Sequence, residues 1–379
     1  MIEQPVNQAD SVIVQRYEGV ALMTLNRPEV LNALNLDMVR AITAQLRDWA
    51  DDDGVTMVVV RGVSREGRAP TFCAGGDIRF FHRAALAGDP RLEDFFTEEY
   101  ALNHLIRRYP KAYVALMDGI VMGGGMGISQ GASLRVVTEH SRLAMPETQI
   151  GLFPDVGGGW FLSRCPGSTG EYLALTGASI GAADAIALGL ADVQVPAPAL
   201  PQLLNRLVKA SAAGEAESML TEWSVKSATA DLGITQEVVD RHFSQACVCD
   251  IEESLAADDH PLAKRALHDM SQRSPLMMAI ALEQIRRARK LPLADCLRLE
   301  RDLVRNCFHI RPGAAGETVE GIRALAIDKD RKPQWYPARS RDVTAMMIKE
   351  YFVSPWPAHA HPLRQLTDVT SDGAHPYKA

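Results

Sequence analysis

No excess of positive charge marks this chain. Its 379 residues carry 40 lysines and arginines against 47 aspartates and glutamates, a formal net charge of −7. No global positive field therefore draws it to nucleic acid or to an anionic membrane surface. It also lacks an uninterrupted apolar run of bilayer-spanning length. The longest candidate, Ala112 to Ile128, is broken by Asp118 and a run of glycines. The first ten residues, MIEQPVNQAD, show neither the basic and apolar regions of a secretory signal nor the arginine-rich pattern of a transit peptide. Six cysteines (Cys73, Cys165, Cys247, Cys249, Cys296, Cys307) form no CxxC pair, and only Cys247 and Cys249 lie close together. Reduced thiols in a cytoplasmic protein are the expectation, with no metal centre, no nucleic acid and no membrane as partner. His359 and His361, set among prolines, read as a solvated tail.

Several catalytic signatures are missing too. There is no GxxxxGK[ST] loop, and GGGMG (123–127) lacks the spacing of a dinucleotide fingerprint. No GxSxG elbow is present, and Ser129, just after the glycines, has no evident partner in sequence. These absences argue against a P-loop kinase, a nicotinamide dehydrogenase and a serine hydrolase.

What the chain does have is a recurring strand–loop–helix rhythm. Val12–Tyr17 and Val20–Leu25 read as a hairpin turned at Glu18-Gly19. Asn35 is placed to cap a helix to about Ala50, with Met38, Val39, Ile42, Leu46 and Trp49 on one face. Apolar strands are expected at Thr56–Arg61, Tyr113–Met117 and Leu134–Val137, with a short one opening at Ala144–Met145. Strands alternating with helices indicate an α/β core with parallel pairing. Beyond Pro196, Pro198 and Pro201 the character changes to helical periodicity, clearest over Leu276–Arg289 and Leu293–Cys307. The next apolar run of strand type is Ile322–Ile327. Residues 1–200 are thus expected to form a catalytic core, and 201–379 a mainly helical region covering it.

Three segments could carry chemistry. Two are glycine-rich and follow apolar runs: Phe72-Cys73-Ala74-Gly75-Gly76-Asp77 and Met122-Gly123-Gly124-Gly125-Met126-Gly127. Glycine lets the backbone approach a ligand closely, and N–H groups at a helix start suit an anion or a developing oxyanion. The alternative is a pair of tight turns. The third, Met145 to Gly159, sets Glu147 and Asp155 in an apolar, glycine-rich stretch without a basic neighbour. A carboxylate so placed either caps a helix or is buried with a raised pKa, fit for acid–base work.

In this order, with NRPEVLNALN at residues 26–35, the segments resemble the crotonase (enoyl-CoA hydratase/isomerase) superfamily. The resemblance implies a crotonase-type spiral of ββα units and an acyl-CoA substrate. Gly76 and Gly124 fall where the family has the two N–H donors to the thioester oxygen, each such donor being worth about 3 kcal/mol to an oxyanion. Hydratases of the family carry a glutamate where this chain has Gly127, so the hydratase pair is broken. Isomerases that work with one glutamate at the Glu147 position remain an alternative, as do a hydratase with Asp155 as a displaced second acid and a non-catalytic acyl-CoA-binding protein.

The chain is most similar in pattern to the 3-hydroxyisobutyryl-CoA hydrolase branch. EEYALN at 98–103, AMPETQIGLFPDVGGG at 144–159, and Glu320-Gly321-Ile322-Arg323-Ala324 with Ile327-Asp328-Lys329-Asp330 carry the likeness. His309-Ile310-Arg311-Pro312 departs from it. That branch implies hydrolysis of a small β-hydroxyacyl-CoA within valine catabolism. Glu147 is then the catalytic carboxylate, as nucleophile or general base. Asp155 orients the water or binds the β-hydroxyl, and Glu99 lies at the acyl pocket. CoA is expected against the backbone around Val30, Leu31 and Ala33 and the Ala74–Gly75–Gly76 loop, with Arg27, Arg68 or Arg79 near its phosphates. No metal or redox cofactor is expected, because a thioester is already activated. Relatives often form trimers or hexamers, so a homo-oligomer is possible unless the long C-terminal region covers that surface.

Overall fold

The computed structural model describes residues 10–209, 218–219, 222–225 and 235–368. The chain opens with an antiparallel hairpin, β1 (Val12–Arg16) and β2 (Gly19–Leu25). Asn35 then caps α1 (Leu36–Ala50), its Oδ1 accepting the Met38 N–H at 2.8 Å.

From here successive strands alternate between two sheets. β3 (Val55–Gly62), β5 (Ala112–Met117) and β7 (Leu134–Val137) extend the first sheet in parallel. β4 (Thr71–Cys73), β6 (Ile120–Met122) and β8 (Arg142–Ala144) build the second. With β9 (Val193–Gln194) at its edge, the large sheet has the order β1-β2-β3-β5-β7-β9, and the small one β4-β6-β8. Helices follow each small-sheet strand: α2 (Ile78–Ala87) and α3 (Arg91–Arg107) after β4, α4 (Gly124–Gln130) after β6. After β8 comes a 3-10 turn, Glu147–Ile150. This is an α/β spiral of ββα turns. Each passage from a small-sheet strand into its helix lies over the same side of the molecule, and the site is built there.

The strands of the large sheet are apolar on both faces because both are covered. Val58, Val60, Ala115 and Met117 face the main core, whereas Met57, Val59, Val114 and Leu116 face a second cluster. Leu203 and Leu207 of α8 (Leu200–Leu207) close that cluster.

α5 (Gly158–Leu162), α6 (Thr169–Thr176) and α7 (Ala182–Ala187) complete the first half of the chain. After α8 the described elements are helical. The helix Pro275–Ala288 is capped by Ser274 and buried on nearly all sides, packing against α5 and α6. The helix Leu293–His309 lies against α3 and α5.

Three expectations need correction. Ile322–Ile327 is not a strand: Ile322 ends the helix Glu317–Ile322 and Arg323–Ile327 is a π-helical turn. Gly321 and Ile322 pack there against the Ile150 turn, so tertiary contact overrides β-branched composition. β8 ends, rather than begins, at Ala144. His361 is no solvated side chain: it is buried, 3.3 Å from Asp302 and stacked edge-on against Trp356.

Candidate active site

The expected glycines and carboxylates converge on one cavity of about 160 Å³. The loop Ala74-Gly75-Gly76 forms one wall and Gly123-Gly124 another, with Glu99 from α3, Glu147 and Asp155 between them. Ile78, Phe81, Phe96, Ile150, Leu152 and Val156 make the remainder apolar.

Two backbone donors face this space. Leu34 and Gly76 form a parallel bridge in which the Leu34 N–H donates to Gly75 O and the Asp77 N–H to Leu34 O. That pattern turns the Gly76 N–H away from Leu34. Gly124 opens α4, so its N–H has no carbonyl four residues back to donate to. Among the described residues neither N–H donates to a backbone carbonyl. The two loops touch: a Cβ on Gly75 would lie 3.6 Å from Gly124 N. Glycine is required next door at Gly123, where φ is 48° and a Cβ would come 2.8 Å from Glu147 Oε1. An anionic oxygen between the two free N–H groups would find donors already oriented.

The carboxylates are buried, and among the described residues none is paired with a cation. Glu99, Glu147 and Asp155 are 2%, 7% and 5% exposed. Burial raises the Glu147 carboxyl well above its ordinary value, and the Asp155 charge raises it further. Glu99 is raised by burial and then by Asp155 and Glu147. Asp155 is pushed up to about 6 by burial, against the Tyr100 Oη–H, which donates to its Oδ2 at 2.7 Å and favours the charged form. Among the described residues, Glu147 Oε2 and Glu99 Oε1 have no hydrogen-bond partner. Buried carboxyl oxygens left unpaired are costly to folding and available to a ligand or water. Neither Glu147 nor Asp155 caps a helix: Glu147 begins its 3-10 turn, and the N-cap position of α5 is Gly157, which has no side chain.

The profile of the enoyl-CoA hydratase/isomerase family matches residues 20–352. The chain belongs to that family. Among curated relatives it is similar to the 3-hydroxyisobutyryl-CoA hydrolase, mitochondrial, of Xenopus tropicalis: 40% identical over 340 residues, covering 88% of this chain and 86% of the relative. The Rattus norvegicus protein of the same name is 39% identical over 353 residues, covering 90% and 89%. Two solved structures are similar at 36% identity. One is a carnitinyl-CoA dehydratase from Mycobacterium thermoresistibile, with a TM-score of 0.85 over 94% of this chain and 99% of the other. The second is an enoyl-CoA hydratase from Rhodobacter sphaeroides, with a TM-score of 0.83 over 91% and 98%. The curated names overturn the cytoplasmic expectation: these relatives are mitochondrial proteins.

The position where hydratases of the enoyl-CoA hydratase/isomerase family carry a glutamate is closed here. A Cβ at Gly127 would meet Val156 Cβ at 2.7 Å and Asn103 Nδ2 at 2.9 Å. Of the expected CoA-facing residues, Ala74, Gly75 and Gly76 line the cavity, whereas Val30, Leu31 and Ala33 stand apart from it. Val30 and Leu31 are exposed at 40% and 44%, and the Leu31 carbonyl accepts from Ala74 N–H, so this loop adjoins the Ala74–Gly76 wall without lining the cavity. The Ala33 carbonyl is occupied by Arg27 Nη1 at 2.6 Å, and Arg27 also faces Asp77 at 3.6 Å. Arg27 is therefore engaged in holding the loop. Arg68 and Arg79 are exposed.

Three contributors escaped the sequence reading. Tyr100 stood inside the EEYALN motif, next to Glu99, but nothing local pairs it with Asp155. Gln284 and Glu300 lie on covering helices and reach the Pro154–Gly159 turn from behind. The one available signal was a glutamate on the apolar face of the helix Leu293–His309, which is costly unless something bonds it.

Proposed function

We propose that this chain hydrolyses 3-hydroxyisobutyryl-CoA to 3-hydroxyisobutyrate and CoA. The observation that carries the reading is the buried, unpartnered Glu147 carboxylate sharing one small cavity with two free glycine N–H groups. The name borne by relatives such as those of Xenopus tropicalis and Rattus norvegicus supports the choice of acyl group. The thioester oxygen sits between Gly76 N–H and Gly124 N–H, which form the oxyanion hole. Glu147 takes a proton from water as the water oxygen attacks the carbonyl carbon. The tetrahedral oxyanion then collapses, the carbon–sulfur bond breaks, and the proton held by Glu147 passes to the departing CoA thiolate. Asp155 and Glu99 hold the β-hydroxyl and the water. The same geometry suits attack by Glu147 itself to give an anhydride. Repeated turnover in ¹⁸O-water separates the routes, since only the anhydride route leaves label in the Glu147 carboxyl. No cofactor enters either route, because the thioester supplies its own leaving group.

The decisive assay follows CoA release from 3-hydroxyisobutyryl-CoA with a thiol reagent, beside crotonyl-CoA hydration and 3-enoyl-CoA isomerisation. We expect thiol release in the native chain and its loss, by roughly 100-fold or more, in Glu147→Ala and Asp155→Ala. Hydration or isomerisation without thiol release would overturn the reading. The closed Gly127 position already disfavours a hydratase.

A further inference from the structure

The segment that delivers Asp155 is held in an unfavourable shape. Val156 has φ 54° and Gly157 φ 86°, so a β-branched residue occupies the left-handed region directly after the carboxylate. Such a residue is a true outlier there, costing on the order of 1–3 kcal/mol, and persists only where its surroundings dictate it. The turn is closed locally by the Gly158 N–H donating to Asp155 O at 2.7 Å. That single bond cannot force Val156 into place.

The rest of the grip comes from the covering helices. Glu300, fully buried, accepts the Gly157 N–H on Oε2 at 2.7 Å and the Gly159 N–H on Oε1 at 2.9 Å. Gln284 Nε2 donates to Glu300 Oε1 at 3.0 Å and to the Pro154 carbonyl at 2.7 Å. One linked pair of side chains thus holds the backbone immediately before Asp155 and immediately after Val156. Among the described residues no cation is paired with Glu300; its hydrogen-bond partners there are these N–H groups and the Gln284 amide. Burial pushes its carboxyl up to about 8, and the two backbone bonds pull it back. A fully buried acidic side chain is an expensive device for capping so short a helix as α5. Its bonds instead fall on the two amides that define the strained turn.

We infer that Glu300, braced by Gln284, is a positioning residue: it holds the Asp155–Val156–Gly157 turn in the shape that aims the Asp155 carboxylate into the cavity. Neither side chain lines the cavity, so the effect on catalysis passes through Asp155. In its kinetic readout this inference rests on the hydrolase reading above.

The test is a double-mutant cycle in the full-length protein with 3-hydroxyisobutyryl-CoA, using Glu300→Gln and Asp155→Asn singly and together. Glutamine keeps the shape but can accept from only one of the two amides. Glu300→Gln should lower kcat by roughly 10–100-fold, the range a misplaced catalytic group produces, with KM changed by less than about threefold. In the Asp155→Asn background it should have no further effect beyond about twofold. Gln284→Met, which removes only the amide, should show the same pattern more weakly and serves if Glu300→Gln does not fold. A lowered melting temperature with unchanged kcat, or an undiminished loss in the Asp155→Asn background, would overturn the inference. If the native chain releases no CoA, the hydrolase reading falls alone. A crystal structure of Glu300→Gln then decides: Val156 relaxed to negative φ with Asp155 withdrawn from Tyr100 supports positioning, and an unchanged turn refutes it.

Discussion

At the scale of single residues the site trades stability for chemistry. Asp155 is raised from an ordinary 3.8 to about 6, chiefly by burial. Between about pH 4 and pH 6 the folded chain therefore keeps a proton that the unfolded chain has released. Stability falls as pH rises through that window, and above it the full penalty stands, on the order of 3 kcal/mol. Asp155→Asn carries no such penalty and can still accept from Tyr100. We expect it to melt at a higher temperature than the native chain at pH 7.5, with the difference vanishing towards pH 4. Thermal unfolding across that range checks it, and a variant less stable at pH 7.5 would contradict the sign. Glu99 and Glu147, raised in the same direction, each with one oxygen unpartnered among the described residues, belong to the same class of site. Perturbed carboxyls gathered in a cleft are what a proton-transfer site requires.

At the scale of elements, α4 decides which reaction is open. Its first residue offers a free N–H, while further along a Cβ at Gly127 would meet Val156 and Asn103. Restoring an acid there does not recreate a hydratase, because the glutamate has nowhere to point. Gly127→Glu should destabilise the protein by about 1–3 kcal/mol through overpacking, with no gain in crotonyl-CoA hydration. Denaturant titration and the hydratase assay give the two readings, and appreciable hydration would show that the space opens after all. The tight contact has a counterpart in Val156, whose φ of 54° brings its side chain against α4.

At the scale of the whole molecule, the covering helices and the spiral enclose the site cavity, small and largely apolar. Leu325, from the π-helical turn after the helix Glu317–Ile322, lines it beside Ile78 and Phe81 of α2. About 160 Å³ is well below the usual size of pockets for drug-sized ligands. Acyl chains beyond a few carbons should therefore be poor substrates. We expect kcat/KM to fall by roughly 10-fold or more from 3-hydroxyisobutyryl-CoA to 3-hydroxydecanoyl-CoA. Equal turnover of the two would mean that Leu325 and its neighbours swing away when substrate binds. The covering helices are structural as well, since Met277, Ile280, Ala281 and Ile285 are fully buried in the same core as the strands.

Much of this was legible in the chain itself. The hairpin, the Asn35 cap, the buried strands and the two long covering helices follow from local periodicity and capping, which depend on residues a few positions apart. The glycine loops and the Glu147–Asp155 segment, each open to a turn or cap reading alone, point to a site through their order and the family they resemble. Other features depend on partners far away in sequence. Tyr100 finds Asp155 across 55 residues, and Glu300 finds Gly157 across 143. The helical state of Ile322–Ile327 and the burial of His361 were settled by packing against distant elements, against what composition suggested. Sequence alone determined most of the elements and the residue types of the site, because propensity and residue type are local properties. Tertiary structure alone decided that Gly127 is closed, that Val156 is strained and that Glu300 grips its turn, because contact across the fold is set by how the elements pack.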